Sequence, residues 1–307
     1  AGRMSGPRKP ASPVFIIGGS RTGSEMLKTM LCEGPEQDFV DELFLFCPRW
    51  LHPDLDSMIQ RHVGSLSADG AVDRLLEFLY SGRPYGWFWA NAETQLDRTL
   101  LAERLRERPL SLQHLFDAVM RTHAETRGKT RLGAKFPTHY AYTDRLLEWY
   151  PDCRLLHTVR EPKAVYASQG AKYLSPGDSA LSRGLTRFKQ FVHINIQVSW
   201  TGRLHRQLRD RPNYQLVRYE DMVGSPEETL RGVCDFLDLR FDEAMLSPKR
   251  YGSSFGRTAG ARGVDDRSLE RWRRDLSPLT VFLMDALHPV ARRRFGYHDA
   301  NGEGGAA

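Results

Sequence analysis

The chain has 307 residues, 44 Lys+Arg against 38 Asp+Glu for a formal charge of +6, 40% hydrophobic residues and 10% aromatic ones. It is long enough for one large α/β domain and apolar enough to pack a core, which excludes disorder over its whole length. No apolar run approaches the roughly 18 residues of a spanning helix, and Cys32, Cys47, Cys153 and Cys234 lie far apart with no CxxC pair, which argues against a zinc ribbon or a disulfide-stapled secreted domain.

The charge is unevenly placed. Between Lys249 and Phe295 stand 11 Lys+Arg and 5 Asp+Glu, an excess of 6 that equals the excess of the whole chain. Thirty-six arginines against eight lysines fit a codon bias that produces solvated arginine faces. The functional alternative is a site for a polyanion, either nucleic acid or a multiply phosphorylated small ligand.

In chain order, residues 1–12 (AGRMSGPRKPAS) read as a frayed basic arm without the apolar segment of a secretory signal. Short apolar runs at Val14–Ile17, Arg131–Ala134, Arg154–Val159 and Tyr214–Val217 predict buried strands. Helical spacing recurs at Leu112, Leu115, Phe116, Val119, Met120 and His123, then at Leu146, Leu147 and Tyr150, and after Ser225-Pro226 at Leu230, Val233, Cys234 and Leu237. A longer helix is predicted over 186–208 with Phe188, Phe191, Val192 and Val198 facing the core. Trp272, Leu276, Leu279, Phe282, Leu283 and Leu287 mark C-terminal helices broken near Ser277-Pro278. Strands alternating with helices predict a central parallel sheet flanked by helices. Residues 13–298 read as one α/β domain, and 299–307 as a disordered tail.

The first strand runs into Gly18-Gly19-Ser20-Arg21-Thr22-Gly23-Ser24 and then a helix. A glycine-bearing strand–helix turn offers backbone N–H groups and the positive end of a helix dipole to an anion. Gly18 and Gly23 have the GxxxxG spacing of a nucleoside-triphosphate loop, but Ser24 and Glu25 occupy the Lys and Ser/Thr positions. The turn suits a phosphate-like group and not Mg-ATP hydrolysis; an ordinary tight connection is the plain alternative. A later strand ends in Arg160-Glu161-Pro162-Lys163, with Ser168 two turns into the next helix. A strand-end arginine and a facing hydroxyl suit a second phosphate, whereas Arg160 paired with Glu161 or Asp144 would be a surface feature.

Taken together, the segments FIIGGSRTGSEMLKTML and VREPKAVYAS resemble the 5′-phosphosulfate loop and the 3′-phosphate motif of the sulfotransferases that use 3′-phosphoadenosine 5′-phosphosulfate, in their broad Golgi-type and bacterial branch. AKFPTHY, VRYEDMVGSPEETLRGVCDFLDL and RWRRDLSPLTVFLMDALHPVARRRFGY resemble further segments of that family, so the likeness covers 13–298. The resemblance implies a P-loop-like three-layer fold and transfer of a sulfuryl group to an acceptor hydroxyl on a small molecule or sugar, with no metal. It implies that Arg21, Thr22, Gly23, Ser24 and Glu25 meet the 5′-phosphosulfate, that Arg160 and Ser168 meet the 3′-phosphate, and that Tyr219 belongs to the cofactor set. RTAGARG resembles the loop that closes over the 3′-phosphate, with Arg257, Arg262 and Gly263 singled out; the RWRRD and ARRRF arginines read as helix faces.

Lys135 matches the family's Lys-x-Pro lysine, which with Arg21 would stabilise charge on the leaving phosphate. Glu42, in VDELFLF, matches the family's base and Asp41 is its neighbour; a carboxyl of pKa about 4.3 in water needs an apolar pocket to rise, and Leu43 to Phe46 could supply one. His139 is the runner-up base and His52 the third choice. Glu25 departs from the family, which has a hydroxyl there: a carboxylate donates nothing and repels an anionic ligand, so it is expected to point away along the helix; an acceptor-binding role or a weak enzyme are the alternatives. Residues 47–110 are the least family-like, and Tyr85, Trp87, Phe88 and Trp89 form an aromatic cluster suited to core or to stacking on an acceptor. A P-loop kinase or nucleotide phosphotransferase and a non-catalytic nucleic-acid binder are the other readings. Expected partners are a small-molecule or carbohydrate acceptor, with no nucleic acid and no membrane. A bacterial cytoplasm is the expected compartment, and a Golgi lumenal domain the alternative.

Overall fold

A computed structural model describes residues 12–47, 53–136, 139–174, 177–248 and 269–297. The chain runs through β1 (Val14–Gly18), α1 (Ser24–Glu33), β2 (Val40–Asp41), α2 (Leu55–His62), α3 (Ala71–Leu79), α4 (Trp87–Ala90), α5 (Ala92–Gln95), α6 (Arg98–Arg106), α7 (Leu112–Thr126) and β3 (Gly133–Lys135). It continues through α8 (Thr143–Trp149), β4 (Arg154–Val159), α9 (Pro162–Tyr173), α10 (Ala180–Leu208), β5 (Tyr214–Arg218), α11 (Tyr219–Gly224), α12 (Pro226–Leu237), α13 (Arg271–Asp275), α14 (Pro278–Leu287) and α15 (Pro289–Arg294). The strands form one parallel sheet in the order β2-β3-β1-β4-β5, flanked by helices. Every residue of β1 and five of six in β4 are buried, as strands covered on both faces require.

The four predicted strands are present, with β1 and β5 each one residue longer and the second segment realised as Gly133–Lys135, Arg131 lying outside it in an isolated bridge to Gln37. β2 is a fifth, two-residue strand, too short to carry a periodic signal. It sets a register that matters: Asp41 pairs with Lys135, and Lys135 with Ile16.

Two compact units comprise residues 1–17 with 31–155, and residues 18–30 with 156–307. In the first, Phe15 stacks on Phe116 at 5.9 Å and tilts against Tyr150 at 5.5 Å, and α7 starts where the Ser111 side chain accepts from the His114 N–H. The aromatic cluster of residues 85–89 divides. Phe88 and Trp89 are core, the Trp89 indole donating to the Leu43 carbonyl at 2.9 Å, while Tyr85 and Trp87 are exposed.

In the second unit α10 begins six residues before its predicted start, and its expected core face is met at Val198 and in part at Phe191 but not at Phe188 and Val192. Phe188 and Val192 are exposed, and Phe191 is half-buried. The buried side carries Ile194 and Val198, clustered with Val165 and Met284, together with Gln190, Gln197 and Thr201. Polar side chains occupy that side because each finds a hydrogen-bond partner there. The break at Ser277-Pro278 falls where predicted: Ser277 caps α14 by accepting from the Thr280 N–H, and Pro278 takes the first helical position. On α14, however, Leu279, Phe282, Leu283 and Leu287 are exposed and Met284 is the buried residue.

Candidate functional site

In the second unit the turn after β1 is held from outside. The Gln197 side chain accepts from the Ser20 N–H at 3.0 Å, and its amide nitrogen donates to the Ser20 carbonyl at 3.3 Å. Gln169, on α9, donates to the Ser20 hydroxyl at 3.0 Å. The backbone passes so close to Gln197 that a Cβ on Gly19 would lie 1.9 Å from its amide carbon. Thr22 donates to the Gly19 carbonyl at 2.7 Å and lies 2.8 Å from the Thr158 hydroxyl. Its proton is thereby used inside the turn, and its remaining donor is its backbone N–H. Gly23 closes the turn at φ 93, where a Cβ would also meet the Tyr219 ring at 2.6 Å. The Leu27 N–H donates to the Gly23 carbonyl, so α1 opens directly at the turn and sets the positive end of its dipole there.

Arg21 takes a left-handed backbone conformation, φ 67, one that a non-glycine residue adopts at some cost. Its guanidinium donates to the Ser168 hydroxyl at 2.9 Å. Burial lowers the Arg21 pKa, and the neighbouring positive charge of Arg160 lowers it further. Arg160 in turn lies over the Tyr219 ring at 3.9 Å. Thus Arg21, Arg160, Ser168, Tyr219, Gly23 and Ser24 are gathered in one unit, with two like charges brought near each other at the carboxyl ends of the strands. Glu25 makes an ion pair with Lys28, one turn on, at 2.7 Å.

The loop bearing Arg160 is anchored in turn. Glu220 accepts from the Glu161 N–H at 3.0 Å and from the Tyr297 hydroxyl at 2.8 Å. Lys163 reaches Asp285 at 2.6 Å beneath the Trp272 ring, and Arg292 meets the same Asp285 at 2.9 Å. Arg292 is therefore a buried partner of Asp285 and Glu161, not part of a solvated face as its place in ARRRF suggested. Its neighbours Arg293 and Arg294 are exposed.

In the first unit, the register of β2 on β3 sets the buried Lys135 ammonium 2.9 Å from Asp41. Glu42 follows at φ 49 and donates its N–H to the Lys135 carbonyl at 3.3 Å; its side chain is half-buried, and Leu43 to Phe46 are all buried. His139 is wholly buried between the rings of Phe15, Phe116 and Phe136. Burial, and next the Lys135 charge, lower its pKa to about 3.

Arg257, Arg262, Gly263 and His52 lie outside the described residues, as do 1–11 and 298–307. Sequence reasoning did not find Gln197, Gln169, Thr158 or Glu220. Glutamines inside a helix carry no pattern that marks them as holding a distant turn. Among the described residues no group of three or more His, Cys, Asp or Glu side chains is placed to hold a metal ion, and no helix is long and apolar enough to cross a membrane.

Known proteins share the family pattern and the fold of this chain. The profile of the Sulfotransferase family matches residues 13–243. Two curated relatives, the omega-hydroxy-beta-dihydromenaquinone-9 sulfotransferases of Mycobacterium bovis and Mycobacterium tuberculosis, are each 25% identical over 268 residues, which is 76% of this chain and 64% of theirs. The chain thus spans less than two thirds of the length of those relatives. Among solved structures, the sulfotransferase domain of the curacin biosynthetic pathway is 20% identical with a TM-score of 0.59, covering 95% of this chain and 99% of that one. The sulfotransferase domain of the Synechococcus PCC 7002 olefin synthase is also 20% identical, with a TM-score of 0.55, covering 97% and 100%. At that identity the likeness is one of fold.

Proposed function

The chain belongs to the sulfotransferase family, and from that premise we propose that it transfers a sulfuryl group from 3′-phosphoadenosine 5′-phosphosulfate to a hydroxyl of a small-molecule acceptor. The observation that carries the reading is the pair Arg21 and Arg160, with Ser168 bonded to the first and the start of α1 beside them. Two arginines held near each other at a helix N-terminus match a ligand with several anionic groups. Such a nucleotide fits the donor set on that chemistry, and when bound it would supply an activated sulfuryl group.

Arg21 and the backbone N–H groups of Gly23, Ser24 and Glu25 would hold the 5′ side, while Arg160 and Ser168 would hold the 3′-phosphate. Tyr219 supports Arg160 from below. Thr22 keeps the turn in shape through Gly19 and Thr158. Lys135 is assigned the stabilisation of charge on the leaving phosphate oxygen, and Asp41 holds its ammonium in place. Glu42 is assigned the acceptor proton. It is preferred to His139 because a wholly buried imidazole with a pKa near 3 stays neutral and is too weak a base to take that proton.

Arg257, Arg262 and Gly263 are assigned to the 3′-phosphate on the resemblance of their segment to the family's closing loop. The names of the two relatives favour an alcohol on a lipid-like small molecule over a carbohydrate, and their bacterial sources favour a bacterial enzyme, with the cytoplasm its compartment. Calorimetry with 3′,5′-ADP in chelator-treated buffer tests the donor site: tight binding is expected, and Arg160→Ala should weaken it by roughly 1.5–3 kcal/mol. Binding that is indifferent to this change would remove the reading. Glu42→Gln should lower turnover by about 10²–10⁴ with nucleotide affinity retained; an active variant would return the base to another residue.

A further inference from the structure

The side of α10 opposite its buried glutamines is apolar and faces water. Leu181, Leu185, Phe188, Val192, Ile196 and Trp200 are all exposed, Leu181 to 84% and Phe188 to 65%. At 100° per residue they fall within an arc of about 120° along most of the helix. Scattered apolar residues on a surface need no explanation, but a continuous stripe of this kind marks a docking surface. Met284 of α14 packs on Ile194 and Val198, on the other side of α10, and leaves this stripe uncovered.

Charge decides among the occupants. α10 carries Arg183, Arg187, Lys189, Arg203 and Arg206, all exposed, and not one Asp or Glu. Lys189, Arg203 and Arg206 fall on or beside the apolar arc by the same helical spacing. Packing the stripe on a second copy would set these cations against an identical set with no acid on the helix to offset them. An anionic bilayer surface accepts both features at once: the acyl boundary takes the large apolar side chains, and lipid phosphates take the flanking cations. We propose that α10 is an in-plane contact for an anionic phospholipid membrane. The expectation of no membrane partner rested on the lack of a spanning segment, and an interfacial helix needs none.

Flotation of the full chain with vesicles tests this. It should rise with phosphatidylcholine vesicles containing about one third phosphatidylglycerol, a content that gives a strongly negative surface, and stay behind with phosphatidylcholine alone. High salt should reduce the bound fraction. Leu185→Ser with Phe188→Ser, and separately Lys189→Glu with Arg203→Glu, should each weaken binding at least about tenfold with an unchanged near-UV spectrum. No flotation with anionic vesicles, equal flotation with both kinds, or binding unaltered in the variants would overturn the proposal. So would light scattering that shows a dimer dissolved by the Phe188→Ser pair without any vesicle binding, since the face would then join two copies of the chain.

Discussion

Gly19 and Gln197 should behave as one unit, and a double-mutant cycle can measure it. Gln197→Ala removes the acceptor of the Ser20 N–H and the donor to the Ser20 carbonyl; leaving such backbone groups without partners costs about 1–3 kcal/mol. Gly19→Ala places a Cβ 1.9 Å from Cδ and Nε2 of Gln197 and 2.4 Å from its Cγ. The side chain must leave, so the variant loses the same bonds and adds overpacking of about 1–3 kcal/mol, for roughly 2–6 kcal/mol in total. All three of those crowding atoms vanish in Gln197→Ala. The added methyl of the double variant then sits in vacated space, and its cost should fall back to that of Gln197→Ala alone. The expected coupling is about 2 kcal/mol or more, well beyond the roughly 0.5 kcal/mol within which independent sites add. Urea unfolding followed by tryptophan fluorescence on the four proteins supplies the numbers. Additive costs would refute the idea that Gln197 clamps the turn.

Further outcomes follow from charges placed by the same structure. Glu25→Ser should change 3′,5′-ADP affinity by less than about threefold, because the carboxylate lies against Lys28 and contributes only a helix-terminal and i,i+3 effect of about 0.5 kcal/mol; a gain beyond tenfold by calorimetry would mean that it faces the ligand. Stability should fall in acid through His139 and His157. Burial lowers both to about 3, aided at His139 by the Lys135 charge and at His157 by His205. The unfolded chain therefore takes up protons first as pH falls below about 6.5, and each histidine contributes stability that is full above that value and lost toward pH 3. Between pH 7 and pH 5 the loss is about 2 kcal/mol per residue. Urea midpoints for His139→Leu should show about half of this acid loss, and an unchanged loss would dissociate it from that imidazole.

Much of the sheet was legible because a strand buried on both faces writes itself as an apolar run, unbroken in VFII and interrupted in RLLHTV by the buried His157 and Thr158. Arg21, Arg160 and Ser168 were legible for another reason: phosphate chemistry demands a cation at a strand end and a tight turn before a helix, and both leave marks at fixed spacing. β2 was not, since two residues cannot show alternation, and with it went the Asp41–Lys135 register that seats the lysine. The Glu220 anchor joins residues 161, 220 and 297. Nothing local in the sequence links three positions so far apart.

α10 shows why the helical pattern misled at Phe188 and Val192. Apolar periodicity identifies a helix's buried side only when the core wants apolar groups there. Beside a turn that exposes its N–H and C=O groups, the packed side needs hydrogen-bonding side chains, and Gln197 fills that role for Ser20 while Gln190 does so for the Gln169 carbonyl. A glutamine buried in this way is stable because its partners are fixed backbone or side-chain groups, and the loss of any of them would leave it costly. The apolar stripe then has no core to enter and stands on the water side with the arginines. α10 thus buries Gln190, Gln197 and Thr201 among Ile194, Val198, Leu204 and Leu208 while an apolar stripe stands outside. The buried glutamine of the inner face follows from the need to hold the turn after β1, and the outer stripe is the part of α10 for which the membrane contact is proposed.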